Sequence, residues 1–158
     1  MRSTECSSRW PRAPPTPYGG WRCGAIYRAM ASSPQAARIR RLDWVAQEEL
    51  AALYTGADLL VQFSLHEGFG LTPLEAMACG TPAVISDAGA LPEIAGEAAA
   101  VVPLACGAVG LAEELRRLLA DDEARAALAD GGVTHAAQYT WERHARGVMA
   151  VYAEVAGA

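Results

Sequence analysis

From residue 38 onward the apolar positions fall into short runs separated by glycine and proline, and the runs alternate in kind. Asp58-Leu-Leu-Val-Gln-Phe-Ser64 is an almost continuous apolar stretch with polar ends, the pattern of a buried parallel strand. Ala83-Val-Ile-Ser86 and Ala98 to Val102 repeat that pattern, and Arg38-Ile-Arg-Arg-Leu42 suggests a further short strand. Helical spacing fills the intervals. Gln47 to Tyr54 places Leu50, Leu53 and Tyr54 on one face, and the alanine-rich stretch Pro73 to Cys79 carries a core stripe of Leu74, Met77 and Ala78. Leu91 to Ile94 is a short helix closed by Gly96, and Val109 to Leu119 has Leu111, Leu115, Leu118 and Leu119 in register. Asp121-Asp-Glu123 sets acids at the start of another helix, interrupted at Gly131-Gly132. Thr140 caps a last helix through Val155, with Trp141, Val148 and Tyr152 as its apolar positions. Strand and helix in alternation predict an α/β fold: the downstream half of a Rossmann-like parallel sheet of about four strands, followed by helices. Such a half-sheet leaves an edge without a partner and apolar surface uncovered, which predicts low stability or association.

One turn concentrates chemistry. Glu67-Gly-Phe-Gly-Leu-Thr-Pro-Leu-Glu75 follows the strand at its carboxyl end and opens the next helix, with Thr72 as the expected N-cap, Pro73 at the first helical position and Gly80 at the far end. A helix start of this kind leaves the amides of Gly70, Leu71 and Thr72 free and carries partial positive charge, so it can hold a phosphate or diphosphate without a basic side chain. Gly68 and Gly70 let the backbone approach such an anion closely. Glu67 and Glu75 flank it. Carboxylates repel a diphosphate but accept strong hydrogen bonds from sugar hydroxyls, so the combination describes a nucleotide-sugar site.

The same residues carry a resemblance. Glu67-Gly-Phe-Gly-Leu-Thr-Pro-Leu-Glu75-Ala-Met-Ala-Cys-Gly-Thr-Pro82 resembles the Glu-x7-Glu signature of the retaining glycosyltransferases of GT-B fold, the group 1 or family 4 type. The likeness runs from about Arg38 to about Val155 and includes Ala57-Asp58, Leu91-Pro-Glu-Ile-Ala-Gly96 and Tyr139-Thr-Trp141. It implies that Glu67 positions the donor sugar, that Glu75 holds the ribose, and that the loop from Gly68 and Phe69 through Gly70 and Leu71 to Thr72 binds the diphosphate. It also implies transfer of the sugar to an acceptor hydroxyl with retention, the nucleoside diphosphate sugar being substrate, with no cofactor and no metal ion. The acceptor, a glycan, a lipid or a small molecule, would sit on a separate amino-terminal domain. Members of the family usually place an Arg and a Lys on the diphosphate from the earlier half of the same domain, and this chain has no lysine. Pyridoxal phosphate chemistry needs a Schiff-base lysine, which excludes the phosphorylases of the same architecture.

Plainer roles compete at several positions. Thr72-Pro-Leu-Glu75 also fits a capping box, in which Glu75 bonds back to the amide of Thr72. Ser86 to Ala90, at the end of the next strand, is a second candidate wall, with Asp87 read as a turn former. His135 and His144 fall on helices far from the glycine loop and read as surface or packing residues, while His66 adjoins Glu67 as a candidate sugar or acceptor contact.

Composition narrows the setting. An apolar fraction of 52% with 20% charged residues over 158 residues is that of one soluble domain, and no run is long enough for a membrane helix. Cys6, Cys23, Cys79 and Cys106 have no metal-ligand spacing, which points to a reducing cytoplasm, free or at the membrane periphery, with Cys79 a buried small hydrophobe. Charge divides sharply: eight arginines and one acid lie in residues 1–41, five arginines and seventeen acids in 42–158. The acidic body argues against nucleic acid as a partner. Residues 1–37 are expected to form a disordered or non-family leader, rich in proline and arginine, ahead of a partial donor-binding domain at 38–158. On this reading the chain is a fragment with little activity alone. The competing expectations are a non-catalytic nucleotide-binding or interaction remnant and a nucleotide-sugar epimerase of the same architecture.

Overall fold

A computed structural model describes residues 24–42 and 44–157, which divide into two units between Ala46 and Gln47. The first holds helix α1 (Gly24–Ser32) and a 3-10 turn at Ala36–Arg38. α1 lies within the segment expected to lack regular structure; the preceding residues 1–23 lie outside the described ones. The strand expected at Arg38–Leu42 does not form: Arg38 ends the 3-10 turn, residues 39–42 have no regular structure, and Ile39 and Leu42 are exposed. Their spacing explains this, because two apolar residues three positions apart point to opposite faces of a strand and cannot share one core.

The second unit begins with α2 (Gln47–Thr55) and continues β1 (Leu60–Gln62), α3 (Leu71–Ala78), β2 (Ala83–Ser86), α4 (Leu91–Ala95) and β3 (Ala99–Val102). Three further helices follow: α5 (Gly107–Ala120), α6 (Asp122–Ala136) and α7 (Trp141–Ala156). The strands form one parallel sheet in the order β1-β2-β3, so the parallel α/β expectation holds with three strands in place of four among the described residues. β2 is central and wholly buried. Alternate side chains serve its two faces, as the pleat requires. Ala83 and Ile85 pack with Leu74 and Met77 of α3, Leu91 and Ala95 of α4, and Ala136 of α6. Val84 joins Val102 of β3 and Leu118 of α5 on the other side, with Phe63, Leu111 and Leu115 against them. β1 and β3 are edges, with Val61 and Val101 exposed, so the strand at 58–64 is shorter and less buried than its apolar run suggests.

α6 runs unbroken through Gly131-Gly132, where an interruption was expected. A Cβ at position 132 would lie 3.1 Å from Met77 Cγ, so the glycine is there to let α6 close against α3. Two helix starts are capped by side chains, that of α7 by Thr140 as expected. Asp121 Oδ1 accepts from the amide of Ala124 at 2.9 Å, and Thr140 Oγ1 accepts from that of Arg143 at 3.1 Å. Cys79 is only half-buried. α7 differs from the other helices of this unit: all its residues are exposed, including Trp141, Met149, Val151, Tyr152 and Val155.

Candidate functional site

The loop between β1 and α3 stands at the carboxyl end of the parallel sheet, the face on which open α/β sheets take their ligands. Its entry into α3 departs from expectation. Gly70, not Thr72, is the N-cap, with φ +109 and no side-chain cap, so Leu71 and Thr72 are the first helical residues and Pro73 the third. The left-handed turn at Gly70 starts the helix two residues early, and a Cβ there would lie 3.0 Å from Leu91 Cδ2. The consequence for the helix mouth is favourable: the amides of Leu71 and Thr72 have no intrahelical acceptor, and Pro73 has no amide to satisfy. Leu71 and Thr72 are exposed.

Glu67 is half-buried and held from both ends of its carboxylate. Gln62 Nε2 donates to Oε2 at 2.6 Å, and the amide of Gly68 donates to Oε1 at 3.1 Å. The peptide of Glu67 is held equally firmly, because the amide of Ala90 donates to its carbonyl at 3.1 Å and Gly89 passes directly beside it. Ser86 Oγ donates to the Ser64 carbonyl at 2.6 Å, tying the same two loops together nearer the sheet. Ser86 to Ala90 therefore backs the Glu67 loop. Asp87 instead accepts from the amide of Leu104 at 2.8 Å and starts the turn after β3.

Glu75 is exposed and does not form the capping box; it accepts from the phenol of Tyr54 on α2 at 3.0 Å. The capping geometry is unavailable because Thr72 lies inside the helix. Partial burial, then the hydrogen bond to Glu75, push the Tyr54 hydroxyl up to about 12, so it remains a donor at physiological pH. Neither Glu67 nor Glu75 forms an ion pair among the described residues, in contrast to Glu114, which Arg117 holds at 2.6 Å and below the usual carboxylate range. Both acids thus keep spare lone pairs for further donors.

Gly68 is exposed, has no left-handed φ, and a Cβ built on it meets nothing within 4 Å. The fold itself gives no reason for glycine there. Phe69 is exposed beside it. Phe69, Leu71 and Glu75 also border a cavity of about 910 Å³ between α3 and α7, whose far side carries Trp141, His144 and Tyr152. His144 thus lies across a cavity from the glycine loop, closer than its position in the sequence suggested. His135 is a packing residue: its Nε2 donates to the carbonyl of Ile94 at 2.7 Å, as does the hydroxyl of Tyr139 at 3.0 Å. His66 is exposed.

Among the described residues no three His, Cys, Asp or Glu side chains cluster as for a metal ion, and no helix is long and apolar enough to cross a membrane.

Comparison with known proteins places these features in a family. Residues 30–134 match the family described as Glycosyl transferases group 1. The chain is 36% identical over 126 residues to O-antigen chain mannosyltransferase B of Escherichia coli, covering 79% of this chain and 32% of that protein. It is 40% identical over 118 residues to a D-inositol 3-phosphate glycosyltransferase of Salinispora tropica, covering 74% and 24%. Among solved structures, sucrose-phosphate synthase from Thermosynechococcus elongatus superposes with a TM-score of 0.71 at 31% identity, over 84% of this chain and 35% of that one. The C-terminal domain of a group 1 glycosyl transferase from Francisella tularensis gives 0.61 at 27%, over 73% and 62%. The chain therefore spans 24–32% of the length of these curated relatives.

Proposed function

The chain belongs to the group 1 glycosyl transferases, and from that premise we propose that its Glu67–Glu75 module binds a nucleoside diphosphate sugar for transfer to an acceptor hydroxyl with retention. In this reading the amides of Gly70, Leu71 and Thr72 hold the diphosphate at the mouth of α3, where the partial charge of the helix end favours an anion. They also stabilise the charge that develops on the departing diphosphate, without a metal ion. Glu67 accepts from hydroxyls of the donor sugar and Glu75 from those of the ribose. Glu67 orients the ring and is not assigned as a nucleophile.

The observation that carries this reading is the empty flank of Gly68. A glycine that neither backbone conformation nor packing demands, between a fixed carboxylate and an open helix mouth, is accounted for by a ligand that must pass against the main chain. Gly89 and Gly70, by contrast, are demanded by the protein itself.

A sugar donor needs an acceptor, and we place acceptor recognition outside this chain, on an amino-terminal domain. The isolated 158 residues then bind donor weakly and turn over slowly. Calorimetric titration with UDP-glucose and GDP-mannose tests the binding role: Glu67→Ala and Glu75→Ala each lower the affinity for the sugar nucleotide that binds. Unchanged affinity in both variants refutes the assignment, and rapid transfer by the isolated chain refutes the placement of the acceptor.

A further inference from the structure

Two neutral side chains of the second unit are spent on the carboxylates of the loop. Gln62 is the last residue of β1 and stands in an otherwise apolar run, where a leucine or valine would serve the sheet better. Its amide nitrogen donates to Glu67 at 2.6 Å, while its own Oε1 is buried with no hydrogen-bond partner. An orphaned buried acceptor is unfavourable, and turning the amide over would set that oxygen against an ionised carboxylate. The orientation is therefore fixed by Glu67. Tyr54 makes the matching arrangement at the other acid. Its carbonyl accepts from Thr81 Oγ1 at 2.5 Å, which pins the end of α2 to the α3–β2 turn, and its hydroxyl donates to Glu75 at 3.0 Å.

We propose that Gln62 and Tyr54 are positioning residues, which aim Glu67 at the donor sugar and Glu75 at the ribose through one neutral hydrogen bond each. This rests on the donor-site reading given above. The choice of neutral donors matters chemically. An arginine or lysine at either place would orient the acid equally well but would neutralise it and occupy more of its lone pairs, as Arg117 does with two bonds to Glu114. An amide or phenol uses one lone pair and leaves the charge, so the carboxylate arrives pre-aimed and still a strong acceptor. Pre-aiming also removes the loss of side-chain freedom that binding would otherwise require.

The two residues serve different parts of the donor, which gives a signature no general loss of structure would produce. Gln62→Leu and Tyr54→Phe are compared with wild type by calorimetry, using UDP and UDP-glucose, and GDP and GDP-mannose, as paired probes. Gln62→Leu weakens the sugar nucleotide about fivefold to tenfold and leaves the free nucleoside diphosphate unchanged, while Tyr54→Phe weakens both members of a pair alike. Rotamer populations of Glu67 and Glu75, measured by three-bond scalar couplings on the ligand-free chain, spread from one well to several in the corresponding variant. Couplings unchanged in both variants overturn the proposal without reference to any ligand. Binding lowered by Glu67→Ala and Glu75→Ala but not by Gln62→Leu or Tyr54→Phe overturns it while sparing the donor site. Binding unaffected by the two alanine variants overturns the donor site itself.

Discussion

Gly89→Ala separates what the fold requires from what the ligand requires. Gly89 has φ +56, and an alanine Cβ there would stand 2.3 Å from the carbonyl oxygen and 2.9 Å from the nitrogen of Glu67. Both are backbone atoms and cannot swing aside. The left-handed conformation costs a non-glycine residue about 1–2 kcal/mol, and parting the loops removes the Ala90 to Glu67 bond, worth about 1 kcal/mol. The sum is about 2–3 kcal/mol, a large part of the roughly 5–15 kcal/mol that holds an ordinary domain together. For a chain of this length it lowers the melting temperature by about 4–12 °C. Circular dichroism melts read that shift, and amide resonances of residues 66–69 move with it. Gly68→Ala is the control, since its Cβ enters open space: the melt stays put, while affinity for a sugar nucleotide falls. A Gly89→Ala protein that melts with wild type, its Glu67 amide unmoved, would show that the two loops are not in the contact described.

Gly132→Ala brings a methyl to about 3 Å from Met77 and pushes α6 off α3, destabilising by about 1–3 kcal/mol in urea titrations. Asp121→Ala and Thr140→Ala each remove a helix cap and cost about 1 kcal/mol, with α6 and α7 fraying first in hydrogen exchange. In an ultraviolet titration of the phenols Tyr54 ionises near pH 12, a step that Tyr54→Phe abolishes. Because that hydroxyl is raised in the folded state, its contribution to stability is full below about pH 10 and is lost as pH climbs towards 12. The lowered carboxyl of Glu114 acts in the opposite direction: its contribution is present above the ordinary glutamate range and lost as acid protonates it, an effect Glu114→Gln removes from the acid limb of the stability curve.

Much of this was legible in the sequence because local chemistry and global packing agree. The run at 83–86 is apolar on both sides and proves to be the central strand, the acids at 121–123 do open α6, and Thr140 caps the helix it precedes. Where reading failed, a distant partner decides the outcome. Gly131-Gly132 looks like a break until Met77 is set against it, and Thr72-Pro73 looks like a helix start until Gly70 turns first. Arg38–Leu42 has the composition of a strand, but its two apolar residues, Ile39 and Leu42, would fall on opposite faces of one. The two acids of the loop were visible, but their supports were not, since Tyr54 lies 21 residues from Glu75 in the chain. Gln62 did leave a signal, as the one polar residue in the apolar stretch 59–63.

The central claim is that unadorned main-chain amides at the start of α3 hold the diphosphate. Titrating the nitrogen-15-labelled chain with UDP and GDP tests it directly, by following the amide resonances residue by residue. The account predicts that the largest shifts fall on Gly70, Leu71 and Thr72, with uridine or guanosine alone leaving them in place. Saturable binding of either diphosphate with those three amides unmoved would contradict it.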